Sequence, residues 1–262
     1  MASFPFNNQQ KEIVLNTDLQ SGTTIHEIED GIYRISVPVP EANFAFNQFL
    51  IVDDEPLLFH TGLRAHFPFV SEAIRSVMPL ERLKYVAFSH FESDECGALN
   101  LFLGAAPEAV PVASRVAVIT SLTDFAERPP RGLADGERLS LGRRTVQWLD
   151  APHLPHGWET GYLFESSTRT LFCGDLFTHG GAKAPALIDS DLLIPAEEFR
   201  IGFSTMNGIP DAYGFTRDTR MHIEKLAATN PRTLAVMHGS SWRGREGEGT
   251  ELLRRLGEAV AA

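Results

Sequence analysis

From Gly31 onward the chain alternates short apolar runs with turn residues. Ile32-Tyr33-Arg34-Ile35-Ser36-Val37 alternates apolar and polar positions as a half-buried strand does, and Pro38 and Pro40 are expected to break it. Phe49 to Val52 and Leu57 to His60 flank Asp53-Asp54-Glu55-Pro56, which predicts strand, turn, strand closed by Thr61-Gly62. Phe69, Ala73, Ile74 and Val77 recur at helical spacing before Pro79. Lys84 to Phe88 reads as a buried strand, 97–103 as a helix, Val110 to Ala113 as a strand and 114–122 as a helix. Residues 128–142, rich in Pro, Gly and charge, read as a surface loop. Three strand-like runs follow: Thr145 to Leu149, Thr160 to Phe164 and Thr170 to Cys173. Residues 176–215 show no clear period and predict an irregular or partly helical crossing. The chain closes with a helix over 217–228 stopped by Asn230-Pro231, a strand from Thr233 to Met237, and a helix facing inward through Leu252, Leu253 and Leu256. Residues 1–30 read as a polar extension in which Ile13-Val14-Leu15 offers one short edge strand.

Strands, then strand–helix alternation, then the same arrangement again predict an α/β fold with two sheets between outer helices, an αββα sandwich. The 128–142 loop resembles a domain boundary, but candidate functional residues lie on both sides of it, so the expectation is a single domain over 1–262. The formal charge of −11 argues against nucleic acid or an anionic membrane as partner. Cys96 and Cys173 make no disulfide framework and read as packing residues. With no basic-then-apolar start and no apolar run of membrane-spanning length, the expectation is a cytoplasmic protein without a membrane.

The densest chemistry is Phe88-Ser89-His90-Phe91-Glu92-Ser93-Asp94-Glu95-Cys96-Gly97, one imidazole and three carboxylates directly after a strand. His153, Asp175 and His238 also follow apolar runs, and groups at strand ends converge on one sheet edge. The interval from His90 to His153 equals that from Asp175 to His238, as two similar halves would give. Three carboxylates and three imidazoles without a thiolate form a hard oxygen–nitrogen donor set.

The pattern His90-x-Glu92-x-Asp94, a later His, Asp175 in a Gly-Asp pair and His238-Gly239 resembles the metallo-β-lactamase fold. Glu92, where the hydrolases of that fold carry a second His, resembles the di-iron branch of flavodiiron and oxygen-binding di-iron proteins. The likeness spans about residues 30–245. It implies one iron held by His90, Glu92 and His153, a second by Asp94 and His238, Asp175 between them, and an oxo or hydroxo bridge. Zinc or manganese are the other occupants such donors admit. Glu95 stands where the family often has His and reads as a ligand, an outer acceptor or a solvated charge. His60 stands where the hydrolases have Asp and reads as a residue that orients ligands. His156 is expected in the pocket near open coordination positions. Tyr213 and Trp158 read as ordinary aromatic core, and His26, His66, His179 and His222 receive no role.

The resemblance implies an oxidoreductase that binds and reduces O2, nitric oxide or peroxide, or an oxygen sensor. Flavodiiron reductases carry a flavodoxin-like domain after the metal domain, and this sequence ends 24 residues past His238, so electrons are expected from a separate donor protein or the signal to pass to a signalling partner. A homodimer is compatible with the family. The rival expectation is a dinuclear zinc hydrolase of a thioester, lactone or phosphoester. A degenerate binding module is the third, disfavoured because every ligand position is filled.

Overall fold

The computed structural model describes Ile13–Val14 and residues 22–261. The first sheet runs in chain order: β1 (Ile13–Val14), β2 (Thr24–Glu29), β3 (Ile32–Val39), β4 (Phe44–Ile51), β5 (Leu57–Phe59), β6 (Tyr85–Ala87), β7 (Val110–Ser114) and β8 (Arg131–Leu133). The pairs from β1 to β5 are antiparallel and those from β5 to β8 parallel. Parallel neighbours need crossovers, and α1 (Phe67–Arg75), α2 (Ser93–Cys96), α3 (Leu99–Ala105), α4 (Arg115–Ala117) and α5 (Thr123–Phe125) lie in them.

The second sheet holds β9 (Arg138–Ser140), β10 (Thr145–Asp150), β11 (Gly161–Glu165), β12 (Thr170–Gly174), β13 (Leu187–Ile188), β14 (Thr233–Val236) and β15 (Ser241–Arg243), in the order β13-β15-β14-β12-β11-β10-β9. On its outer face pack α6 (Leu193–Asn207), α7 (Thr219–Ala228) and α8 (Glu248–Ala259). Three apolar layers result. Ile35, Leu50 and Val86 meet Val70, Ile74 and Phe102 under α1 and α3. Phe49, Phe59, Trp148 and Phe172 fill the space between the sheets. Leu171, Leu234 and Val236 meet Ile223, Leu253 and Leu256 beneath α7 and α8. This is the αββα sandwich.

The departures from the sequence pattern have local causes. The 24–29 segment, read as polar extension, is a full strand. Ile25 joins the layer under the helices and Ile28 the layer between the sheets, so the two burials fall on opposite faces and leave no simple alternation. The register shift between Glu27 and Glu29 blurs it further. Leu15 lies outside the described residues. Pro38 does not end β3: it pairs with Ala45, and the strand runs on to Val39. The 128–142 stretch is the crossing between sheets, and it supplies an edge strand to each, β8 and β9. β10, β12 and β14 run in one direction, as do β5 and β6. Asn47 of β4 ties the sheets where those strands end, its N–H bonded to the Met237 carbonyl at 2.8 Å and its amide to the Val236 and Gly239 carbonyls at 2.8 Å.

Candidate metal centre

The turn after β6 delivers His90 and Glu92, and α2 opens with Asp94 and Glu95 in its first turn. The turns after β12 and β14 deliver Asp175 and His238, and the loop between β10 and β11 delivers His156. His90, Glu92, His156 and Asp175 each place a donor atom within 4.8 Å of the others'. His156 Nε2 lies 3.0 Å from His90 Nε2, 3.1 Å from Glu92 Oε1 and 3.5 Å from Asp175 Oδ2. The same Asp175 Oδ2 lies 3.6 Å from His90 Nε2. Asp175 Oδ1 instead faces His238 Nε2 at 3.2 Å, and that nitrogen lies 3.4 Å from Asp94 Oδ2. One carboxylate thus turns one oxygen to each of two donor groups.

All three clustered imidazoles are held in the same way. His156 Nδ1 meets the Ala212 carbonyl at 3.0 Å, His238 Nδ1 the Ala45 carbonyl at 3.0 Å, and His90 Nδ1 the Ser89 hydroxyl at 2.9 Å. An outer acceptor that takes the Nδ1 proton leaves the Nε2 lone pair aimed inward, which is how ligating histidines are oriented. Asp175 Oδ1 is buried, and the group that faces it is His238 Nε2 at 3.2 Å, two donor atoms close enough to share one cation.

The donors set one another's electrostatics. Burial opposes charge on His90, but Glu95, Glu92 and Asp175 outweigh it and push the imidazole up to about 10. Burial likewise opposes charge on His238, and Asp175 and Asp94 raise it to about 10. His156 and His90 hold Glu92 down to about 2. Asp175 is desolvated, yet His238, His90 and His156 keep it below the ordinary carboxylate range.

His153 does not join this cluster. It sits exposed at φ +64, its backbone N–H bonded to the Gly157 carbonyl at 2.7 Å. That turn carries the chain around so that the next histidine, His156, faces His90. Nothing in Pro-His-Leu-Pro-His-Gly distinguishes the two histidines, because a loop has no period to read. Trp158 is exposed rather than core.

Glu95 is neither solvated nor within the donor group. Fully buried, it places Oε2 2.6 Å from His60 Nε2 and Oε1 3.7 Å from His90 Nδ1. His60, also buried, occupies φ +68 directly after β5. Cys96 bonds the Glu92 carbonyl through Sγ at 3.2 Å, and burial beside Glu95 and Asp94 pushes its thiol far up, so it is a packing residue, as is fully buried Cys173.

Outside the donors lies a cavity of about 440 Å³, walled by Phe44, Phe46, Ala196, Phe199, Phe203 and Tyr213. Its rings form a near-parallel series: His238 on Phe44 at 4.4 Å, Phe44 on Phe199 at 5.4 Å and Phe199 on Phe203 at 5.6 Å. Arg200 at its rim is already engaged by Glu197 at 2.7 Å and by Asp211. Among the described residues no helix is long and apolar enough to cross a membrane.

The family model described as ODP family beta lactamase matches residues 44–239. A diflavin flavoprotein A relative from Thermosynechococcus vestitus is 29% identical over 210 residues, covering 77% of this chain and 36% of its own length. The rubredoxin-oxygen oxidoreductase of Megalodesulfovibrio gigas is 27% identical over 146 residues, covering 55% and 36%. The chain therefore spans about a third of the length of these curated relatives. Among solved structures, a flavo di-iron protein from Thermotoga maritima superimposes with a TM-score of 0.76 at 15% identity over 92% of this chain and 62% of that one. The rubredoxin oxygen:oxidoreductase from Desulfovibrio gigas gives 0.73 at 19% identity over 90% and 61%. These likenesses show the fold. With its matched region covering most of the sequence, the chain belongs to the ODP family of beta-lactamase-like proteins.

Proposed function

We propose that this chain is a non-haem di-iron protein that binds and reduces O2 or nitric oxide with electrons from a separate donor. The carrying observation is Asp175, whose two oxygens face His90 and His156 on one side and His238 on the other. His90, Glu92 and His156 would hold one iron, Asp94 and His238 the second, and Asp175 both. The donor set fits: it is all oxygen and nitrogen, three imidazoles are pre-aimed through Nε2, and the buried Asp175 carboxylate turns one oxygen to each metal position. Two bound irons would supply reversible one-electron chemistry at adjacent positions.

The residues of the chain do the rest. Phe44, Phe46, Phe199 and Phe203 make an apolar approach suited to a small uncharged gas. Arg200, paired on both sides, offers no free cation for an anionic ester or phosphate, which weighs against the hydrolase reading. The buried Glu95–His60 contact backs the His90 ring and keeps its Nε2 aimed at the cluster. The names of the relatives, an oxygen oxidoreductase and flavo di-iron proteins among them, point the same way.

The deciding experiment is metal analysis of protein purified without added metal, followed by anaerobic reduction and exposure to O2 or nitric oxide. About two irons per chain and consumption of one of the gases are expected. Bound zinc together with turnover of a thioester, lactone or phosphoester would sink the reading.

A further inference from the structure

We propose that His179, which supplies no donor atom to the cluster, is the positioning residue that locks the Asp175 turn to the His238 turn and so sets the second metal position. This rests on the two-metal reading above. His179 lies buried four residues after Asp175, and its ring joins two backbone segments. Nδ1 meets the Phe177 carbonyl at 2.8 Å, and Nε2 lies 2.9 Å from the Ser240 nitrogen. A backbone N–H only donates, so Nε2 carries the lone pair and Nδ1 the proton given to Phe177. Both ring nitrogens are thereby used in one tautomer, and none is left for a metal. The backbone N–H of His179 also reaches the His238 carbonyl at 3.2 Å.

The local chain is shaped to receive the ring. Phe177 takes φ +62, and Gly239 takes φ +101. A Cβ at position 239 would come within 2.3 Å of His179 Nε2, so only glycine lets the ring lie against that turn. The ladder between β12 and β14 reaches its end at the Met237 N–H bond to the Gly174 carbonyl, 3.0 Å. Beyond it, His179 ties the turn bearing Asp175 to the turn bearing His238, whose facing atoms stand 3.2 Å apart. The first metal position is anchored elsewhere, through Ser89 and Ala212.

The prediction is therefore selective. His179→Phe keeps the ring and loses both bonds; His179→Asn retains a donor for Phe177 and loses the acceptor for Ser240; His179→Gln can return that acceptor. Each full chain is titrated anaerobically with ferrous ion against a competing chelator, and the metal-free protein is melted in parallel. In His179→Phe and His179→Asn one of the two equivalents should weaken by roughly 10- to 100-fold, as for other residues that orient ligands. The other equivalent shares only Asp175 with that turn and is otherwise held by His90, Glu92 and His156, so it should weaken several-fold less, and His179→Gln should recover most of the loss. Unaltered binding of both equivalents, or equal weakening of both in step with a lower melting point, would overturn the proposal. If His179→Phe does not fold, His179→Asn carries the same comparison. Failure of the two-metal reading itself is seen separately, as a single equivalent in the unsubstituted protein.

Discussion

The Nε2 atoms of His90 and His156 face one another at 3.0 Å, with the opposite nitrogen of each ring bonded outward. Two lone pairs so close repel unless a proton or a metal lies between them, so the pair reports where a cation belongs. His156→Ala should therefore cut iron content from about two per chain toward one or fewer. His153→Ala, at an exposed position, should leave it unchanged. Elemental analysis of the two purified variants checks this, and the reverse result would return His153 to the cluster.

Glu95 and His60 form a wholly buried pair 2.6 Å apart behind His90. Removing His60 leaves a buried carboxyl without its partner, which costs about 1–3 kcal/mol or more. His60→Phe should lower the stability of the metal-free protein by at least that amount in urea denaturation. The double variant His60→Phe with Glu95→Leu should cost less than the two single changes added together, because neither member of the His60–Glu95 contact is then left facing a missing partner. Strict additivity would show that the contact has no energetic role.

The same charges make the metal-free protein sensitive to pH in a defined direction. His90 and His238 titrate near 10 when folded, above the ordinary histidine value, so their stabilising contribution is complete below about 6.5 and is lost as pH rises through 10. Glu92, held near 2, and Asp175, held low, stabilise above the ordinary carboxylate range and lose that contribution as pH falls through their folded values. Urea midpoints of metal-free protein should pass through a maximum from about pH 5 to 6.5, fall steadily as pH rises from there toward 10, and fall again on the acid side. Because the two imidazoles hold protons at pH 7, metal uptake should release them. Titration calorimetry in two buffers of different ionisation enthalpy measures that release, and none would contradict the assigned cluster.

Much of this architecture is written in short-range pattern. The β-branched and aromatic runs that become β6, β12 and β14 are visible in the sequence, and with them the strand ends that carry His90, Asp175 and His238. What escapes is set by tertiary context. Ile25 and Ile28 look unpatterned because they serve two different cores. Pro38 is accepted within β3. The roles of His156 over His153, and of His179, depend on how loops fold back, and in a loop spacing carries no directional information. Glu95 reads from sequence as a charge on a helix N-terminus, and only the buried position of His60 shows what it faces.

Ala196 lines the cavity outside the donors and is itself buried. It lies on α6, three and seven residues before Phe199 and Phe203, which line the same cavity. Ala196→Phe should obstruct the apolar approach while all donor atoms keep their outer hydrogen bonds. The overpacking is expected to cost about 1–3 kcal/mol in stability. Two irons per chain should remain, and kcat/KM for the consumed gas should fall on the order of tenfold, about 1.4 kcal/mol in the barrier. If gas consumption is untouched while the metal content is preserved, the gas reaches the donors by another path. If metal is lost as well, the cavity wall supports the ligands and is more than an entrance.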